Sequence, residues 1–327
     1  MRIPISGAAT PSSISSLPRS TEISCYIAND PTAYAFMLPT SIAVATSCQL
    51  SGIGGAALFS PIFLLAFPLL GPDYPLDSAA AAIASALLTE VFGFSSGLYG
   101  YARRGLVAWP ATIKFVRYSV PLAVVGALCA SYVASSPEIL RGIYSALMFA
   151  LAGYLTFAAP PAQIAAEAAD ECEVGDSDRL LTTTATDGRS FSYFPPKLGP
   201  ASIGVTSVGS FLTGVLGVGV GEVLLPQLVR SCCMPVPLAA GTSVATVVCT
   251  AAAAAIVQFG ALAALVGGDI ASVIPWRLVQ WTIPGVLIGG QLAPLIASRG
   301  LVEDEVIERF AAVLFALVGL SFLVAST

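Results

Sequence analysis

Gly217-Val218-Gly219-Val220-Gly221-Glu222-Val223-Leu224-Leu225-Pro226 interrupts a long apolar run, and an earlier stretch, Gly52-Ile53-Gly54-Gly55-Ala56-Ala57-Leu58-Phe59-Ser60-Pro61, interrupts another in nearly the same terms. In both, the proline follows the first glycine by nine residues (61 minus 52, 226 minus 217). Glycine lets a backbone turn sharply and approach a ligand closely. A helix restarting after such a turn presents unbonded N–H groups with the positive end of its dipole behind them. Two such breaks in matching halves of a membrane protein point to the binding site of a secondary transporter, and facing helix starts suit a small anion.

The setting is a membrane. Of 327 residues, 56% are hydrophobic and 10% charged, and mean hydropathy is +0.85. Soluble domains carry about 25% charged residues. The apolar runs reach the roughly 20 residues that a helix needs to cross hydrocarbon. They fall at 32–51, 56–71, 77–101, 110–134 and 139–158, then 200–216, 220–234, 238–266, 275–297 and 306–325. The second run of each set is short and follows the glycines directly, so it reads as a half-crossing or a re-entrant piece. The expected fold is an all-α polytopic membrane protein of 8–10 membrane segments, built from two inverted-topology repeats with glycine-broken helices. Its parts are a tail or targeting segment at 1–31, rich in Ser, Thr and Pro, a first repeat at 32–158, an acidic linker loop at 159–199 and a second repeat at 200–327.

Positive charge supports the inversion. If Arg103, Arg104, Lys114 and Arg117 face the cytoplasm, Arg179, Arg189, Lys197, Arg230, Arg299 and Arg309 fall on the same side. Arg2, Arg19, Arg141 and Arg277 fall outside. The linker holds Glu167, Asp170, Glu171, Glu173, Asp176, Asp178 and Asp187 and reads as a solvated loop. Nothing resembles a basic nucleic-acid footprint. The expected localisation is multi-pass in the plasma membrane, with an organelle membrane as the alternative.

Histidine is absent, which excludes Ser-His-Asp and Cys-His catalysis and the HExxH zinc signature. No CxxC occurs among the seven cysteines, so neither a disulfide framework nor a metal site is expected, and no cofactor. The expectation is a protein that is not an enzyme.

The candidate substrate contacts are Gly52, Gly54, Gly55, Gly217, Gly219 and Gly221, with Thr242 and Ser243 after Gly241. The alternatives are close helix packing for the glycines and capping for the hydroxyls. Two acids lie well inside apolar segments, Glu90 and Glu222. A charge at a helix centre costs about 2.5–3.5 kcal/mol on insertion scales, so such a residue reads as functional. An ionised Glu222 beside an anion would repel it, so a protonated form is expected, and either acid is a candidate for coupling protons to anion movement. The alternative is a neutral carboxyl bonded to a neighbouring helix. Arg103, Arg104, Lys114 and Arg117 read either as a cytoplasmic entrance for an anion or as topology determinants. Trp109, Trp276 and Trp281 suit interfacial anchoring.

These motifs resemble the sulfite exporter TauE/SafE family of membrane permeases, over roughly residues 35–325. The second half matches closely, Gly217 to Pro226 and then Pro237-Leu-Ala-Ala-Gly-Thr-Ser243. Ala86 to Gly97 and Tyr101-Ala-Arg-Arg-Gly105 also look like family members. The first half departs at Ala56, where the pattern has a third glycine, and lacks a G-T-S at Ala80 to Ser85. The resemblance implies export of sulfite or an organosulfonate, with the bilayer and a small anion as partners. The rival readings are an anion channel, a carrier of another small organic anion, and a membrane enzyme or assembly factor acting through Cys232-Cys233.

Overall fold

The computed structural model describes residues 32–51, 54–71, 74–134, 136–157, 180–186, 188–196, 199–265, 267–268 and 270–299, with isolated positions beyond. The tail at 1–31, Gly52, all seven acidic residues of the linker and most of the run at 306–325 lie outside the described residues. The first half comprises helices α1 (Met37–Ser51), α2 (Ala56–Leu70), α3 (Ala79–Arg103), α4 (Trp109–Ala134) and α5 (Pro137–Phe157). A β-hairpin follows, β1 (Leu181–Thr184) and β2 (Ser190–Tyr193), paired antiparallel from Leu181 opposite Tyr193 to Thr184 opposite Ser190. The second half has α6 (Pro200–Leu216), α7 (Val220–Cys232), α8 (Val236–Leu265), the short α9 (Ile270–Val273) and α10 (Trp276–Arg299).

Among the described residues, four helices are long and apolar enough to cross a membrane: α3, α4, α8 and α10, the last through Ile296. Their outward faces are apolar: Leu128 is 62% exposed, Ile256 73% and Val208, on the shorter α6, 62%. The interior holds hydroxyls, amides and acids, among them Ser85, Thr89, Glu90, Thr250 and Gln258. That distribution suits hydrocarbon outside and a satisfied polar interior.

Each short run returns the chain toward the end where the helix before it began. Tyr34, before α1, donates its hydroxyl to the Tyr74 carbonyl beyond α2 at 2.9 Å, and its ring lies 5.4 Å from that of Phe67. The chain therefore enters along α1 and returns along α2 to the same end. In the second half Thr206 of α6 donates to Gln227 of α7 at 2.9 Å, and Gln227 in turn donates to Ser202. The pair α6–α7 folds back likewise. Proline shapes the return limb: Pro61 supplies no N–H, and a wide π-helical turn follows at Ile62–Ala66.

The hairpins enter from opposite ends of α3. Its start, capped by Ser78 accepting from Ala81 N at 3.1 Å, follows the mouth of α1–α2. At its far end Thr186 of the β-hairpin donates its hydroxyl to the Arg103 carbonyl at 2.8 Å, and the Phe194 amide donates to the Cys232 carbonyl, the end of α7, at 2.8 Å. Twenty-five residues of helix span about 37 Å, so the hairpin tips meet between those ends.

The later part of the linker is thus folded where a solvated loop was expected. Tyr193 is buried among Phe115, Leu224, Leu228 and Met234, and that burial holds the strands down. The cysteine reading also needs correction, since Cys233 is disulfide-bonded while Cys48, Cys129, Cys232 and Cys249 are free. Its partner lies outside the described residues. The adjacent pair hid this: Cys232 is buried in the core, while Cys233 closes α7 in the left-handed region at φ 51°.

Two of the main helix pairings recur when the halves are exchanged. The first helix of each half lies on the fourth helix of the other, α1 on α10 and α6 on α4, and α8–α4 matches α3–α10. Glycines permit the close crossings: a Cβ on Gly289 would sit 2.6 Å from the Ile42 carbonyl, and Gly214 abuts Ala123 in the other pair. Adding 165, the step from Gly52 to Gly217, carries Gln49 onto Gly214 and Gly93 onto Gln258. Gln49 Nε2 donates to the Gly93 carbonyl at 2.8 Å, and Gln258 Nε2 donates to the Gly214 carbonyl at 2.6 Å. One hydrogen bond recurs in both halves with donor and acceptor residues exchanged.

Gly214 lies in the last turn of α6, where carbonyls lack helical partners, whereas Gly93 is mid-helix. Removing a partner from a buried polar group costs about 1–3 kcal/mol. Gln258→Leu is therefore expected to lower the melting temperature in detergent by several degrees, and more than Gln49→Leu does.

Candidate functional site

The second break is built by two left-handed glycines. Gly217 ends α6 at φ 84° and Gly219 precedes α7 at φ 141°, values that a side chain disfavours. The groups released by the break are satisfied by side chains. Thr213 Oγ1 accepts from Val220 N at 2.9 Å and donates to the Gly209 carbonyl at 3.0 Å. The Leu216 carbonyl accepts from the Tyr144 hydroxyl of α5 and from Ser60 Oγ of α2 at 3.4 Å. The first break touches the second directly, for a Cβ on Gly217 would lie 2.9 Å from that of Ala56.

Glu222 joins the breaks. Its Oε2 accepts from Gly219 N at 3.0 Å, the reach-back of a capping residue three places into its own helix. Its Oε1 accepts from Gly54 N, also at 3.0 Å, across 168 residues of sequence. Glu90, from α3, enters beside it: a Cβ on Gly54 would lie 2.9 Å from Glu90 Oε1 and 3.2 Å from Glu222 Oε1. The Glu90 carboxyl faces the N–H groups of Gly55 and Ala56, and its Oε2 has no hydrogen-bond partner among the described residues. The two acids are 2% and 7% exposed. Cys48 of α1 is within electrostatic reach of both. An open apolar groove of about 430 Å³ between α5, α6 and α7, lined by Leu147, Leu151, Leu212 and the outward-facing Val208, reaches Gly219 and Glu222.

Of the residues singled out from sequence, Gly54, Gly55, Gly217, Gly219, Glu90 and Glu222 come together here. Gly221 is buried in the first turn of α7. The amides of Gly54 and Gly219, read from sequence as open to a ligand, are bonded to Glu222. Thr242 accepts from Ala108 N at 3.0 Å and donates to the Leu238 carbonyl at 2.7 Å, tying the α3–α4 connection to α8. Ser243 is buried beside it. Their neighbour Gly241 lies against Tyr101 and Leu106, and Tyr101 is 11 residues, about 16 Å, along α3 from Glu90. Arg103, Arg104, Lys114 and Arg117 gather at that same end, where Arg103 lies over the Tyr99 ring at 5.4 Å. Trp109 and Trp276 are exposed at the starts of α4 and α10.

Sequence reasoning missed Tyr144, Ser60, Thr213, Gln49 and Gln258. Isolated hydroxyls carry no local signal. The glutamines do carry one, since each stands 165 residues from a glycine (214 minus 49, 258 minus 93).

Glycine-broken helical hairpins that meet at a buried pair of acids, within an apolar exterior, define a polytopic membrane protein. The family model for the sulfite exporter TauE/SafE matches residues 37–322, and the chain belongs to that family of membrane transporters of sulfite and related anions. No curated protein matches the chain, and no solved structure does.

Gly54→Ala places a methyl where Glu90 and Glu222 meet, so it is expected to cut transport in proteoliposomes at least tenfold. The melting temperature should change far less than in Gln258→Leu, because only side-chain oxygens stand in the way.

Proposed function

We propose that this chain is a secondary transporter that exports a small sulfur-containing anion, sulfite or an organosulfonate, through the site where the hairpin tips converge. The observation that carries the reading is the pair of amides, Gly54 N from one half and Gly219 N from the other, held 3.0 Å from carboxylate oxygens. A place that binds two negatively polarised oxygens in this way suits a sulfonyl or sulfite oxyanion. The halves are an inverted-topology repeat on this reading, supported by hairpins entering from opposite ends and by the exchanged Gln–Gly bonds.

Ten of the 14 basic residues belong by sequence position to the end where α3 finishes, so that end is cytoplasmic. Arg103, Arg104, Lys114 and Arg117 there concentrate anions at the entrance. The membrane is the plasma membrane, and the work is transport without catalysis. Alternating access arises from movement of one half against the other around the site.

Purified protein in liposomes is expected to move sulfite and sulfoacetate saturably, with trans-side substrate accelerating flux and a pH gradient changing it. Simple carboxylates should move more slowly. Linear, unaccelerated flux identifies a channel instead, and no response to any sulfur oxyanion removes the substrate assignment.

A further inference from the structure

We infer that Glu222 is a resident anion: its carboxylate occupies the amide cradle in the empty transporter, and a substrate anion binds by replacing it there. The inference rests on the reading of this site as an anion site. A capping role alone requires only the bond to Gly219, at the start of its own helix. The second bond, to Gly54, crosses to the other half and completes the cradle with a protein carboxylate where a substrate oxyanion would lie.

Two further features make replacement feasible. Glu222 lines the open apolar groove of about 430 Å³ between α5, α6 and α7, into which the released side chain can turn as the neutral acid. Glu90 stands at the same point with Oε2 unpartnered among the described residues. With Glu90 beside it, an ionised Glu222 and an incoming anion together crowd negative charge into a low-dielectric space, which is strongly unfavourable. The exchange balances when one solvent proton is taken up. The anion accepts the Gly54 and Gly219 hydrogen bonds, Glu222 leaves as the neutral acid, and the net charge of the site is unchanged. Loss of that proton returns the carboxylate to the cradle and ejects the anion.

The groups facing Glu222 are few. Glu90 of α3 and Cys48 of α1 are in electrostatic reach. Neither α2 nor α6 carries a titratable side chain. Cys249 of α8 is exposed, Tyr144 of α5 is bonded to the Leu216 carbonyl, and Arg230 lies at the far end of α7.

The test is equilibrium binding of methanesulfonate and acetate, whose charges are fixed above neutral pH, to the purified full chain across rising pH. Where Glu222 is ionised, wild-type affinity should fall tenfold per pH unit, since one proton binds with each anion. Glu222→Gln should bind more tightly with a flat profile, and Glu90→Gln should keep the slope. A flat wild-type profile, a slope that persists in Glu222→Gln, or loss of binding in a Glu222→Gln protein with wild-type melting temperature overturns the inference. Sulfonate binding without a slope would do so while leaving the proposed function intact. Acetate binding with the slope, and none by methanesulfonate, upholds the resident anion and overturns the sulfur substrate.

Discussion

A helix that stops inside hydrocarbon exposes N–H and C=O groups that no water can satisfy, and each such group costs several kcal/mol, on the order of what holds a whole fold together. The fold depends on how the two mid-depth breaks meet that constraint. Glu222 takes one amide from each break. Thr213 takes another from the start of α7, and Tyr144 and Ser60 supply the Leu216 carbonyl. The second break is satisfied partly by its own Thr213 and Glu222 and partly by Ser60 of α2 and Tyr144 of α5, and the first takes Glu222 from the other half, so neither break is satisfied by its own segment alone. Each hairpin tip needs the rest of the molecule around it.

That requirement explains why the halves interlock rather than sit side by side. α1 lies on α10 and α6 on α4, so the first helix of each half is bedded in the other. Hydroxyl pairs tie the same layers, Thr89 to Thr282 at 3.3 Å between α3 and α10, and Thr250 to Ser119 at 3.0 Å between α8 and α4. A membrane interior offers little hydrophobic drive between helices, so close glycine contacts and such bonds carry the association. The Gln49–Gly93 and Gln258–Gly214 bonds make the same contact in each half, with the residues supplying it exchanged.

Much of the architecture was legible in the chain. Long uncharged runs such as Val236–Leu265 have one stable solution in lipid. The glycine–proline pairs marked both breaks, and at the second few other residues tolerate φ 84° or 141°. Glu90 and Glu222 stood out because an acid in an apolar helix needs a reason. The β-hairpin was hidden by its acidic neighbours. Its strand Leu181-Thr-Thr-Thr184 has mostly exposed residues, and it is held through Tyr193 and the bonds to Arg103, Arg104 and Cys232.

By itself, then, the sequence determined a membrane-embedded helical protein with a glycine–proline break that recurs 165 residues on, from Gly52 to Gly217. Those properties follow from composition, from periodicity and from what glycine and proline permit locally. Only the tertiary structure decided what fills the cradle. The direction of the Glu222 side chain, its reach to Gly54 and the arrival of Glu90 beside it depend on where three distant helices cross. Residues 168 positions apart become hydrogen-bonded neighbours only once the chain has turned back twice inside the lipid.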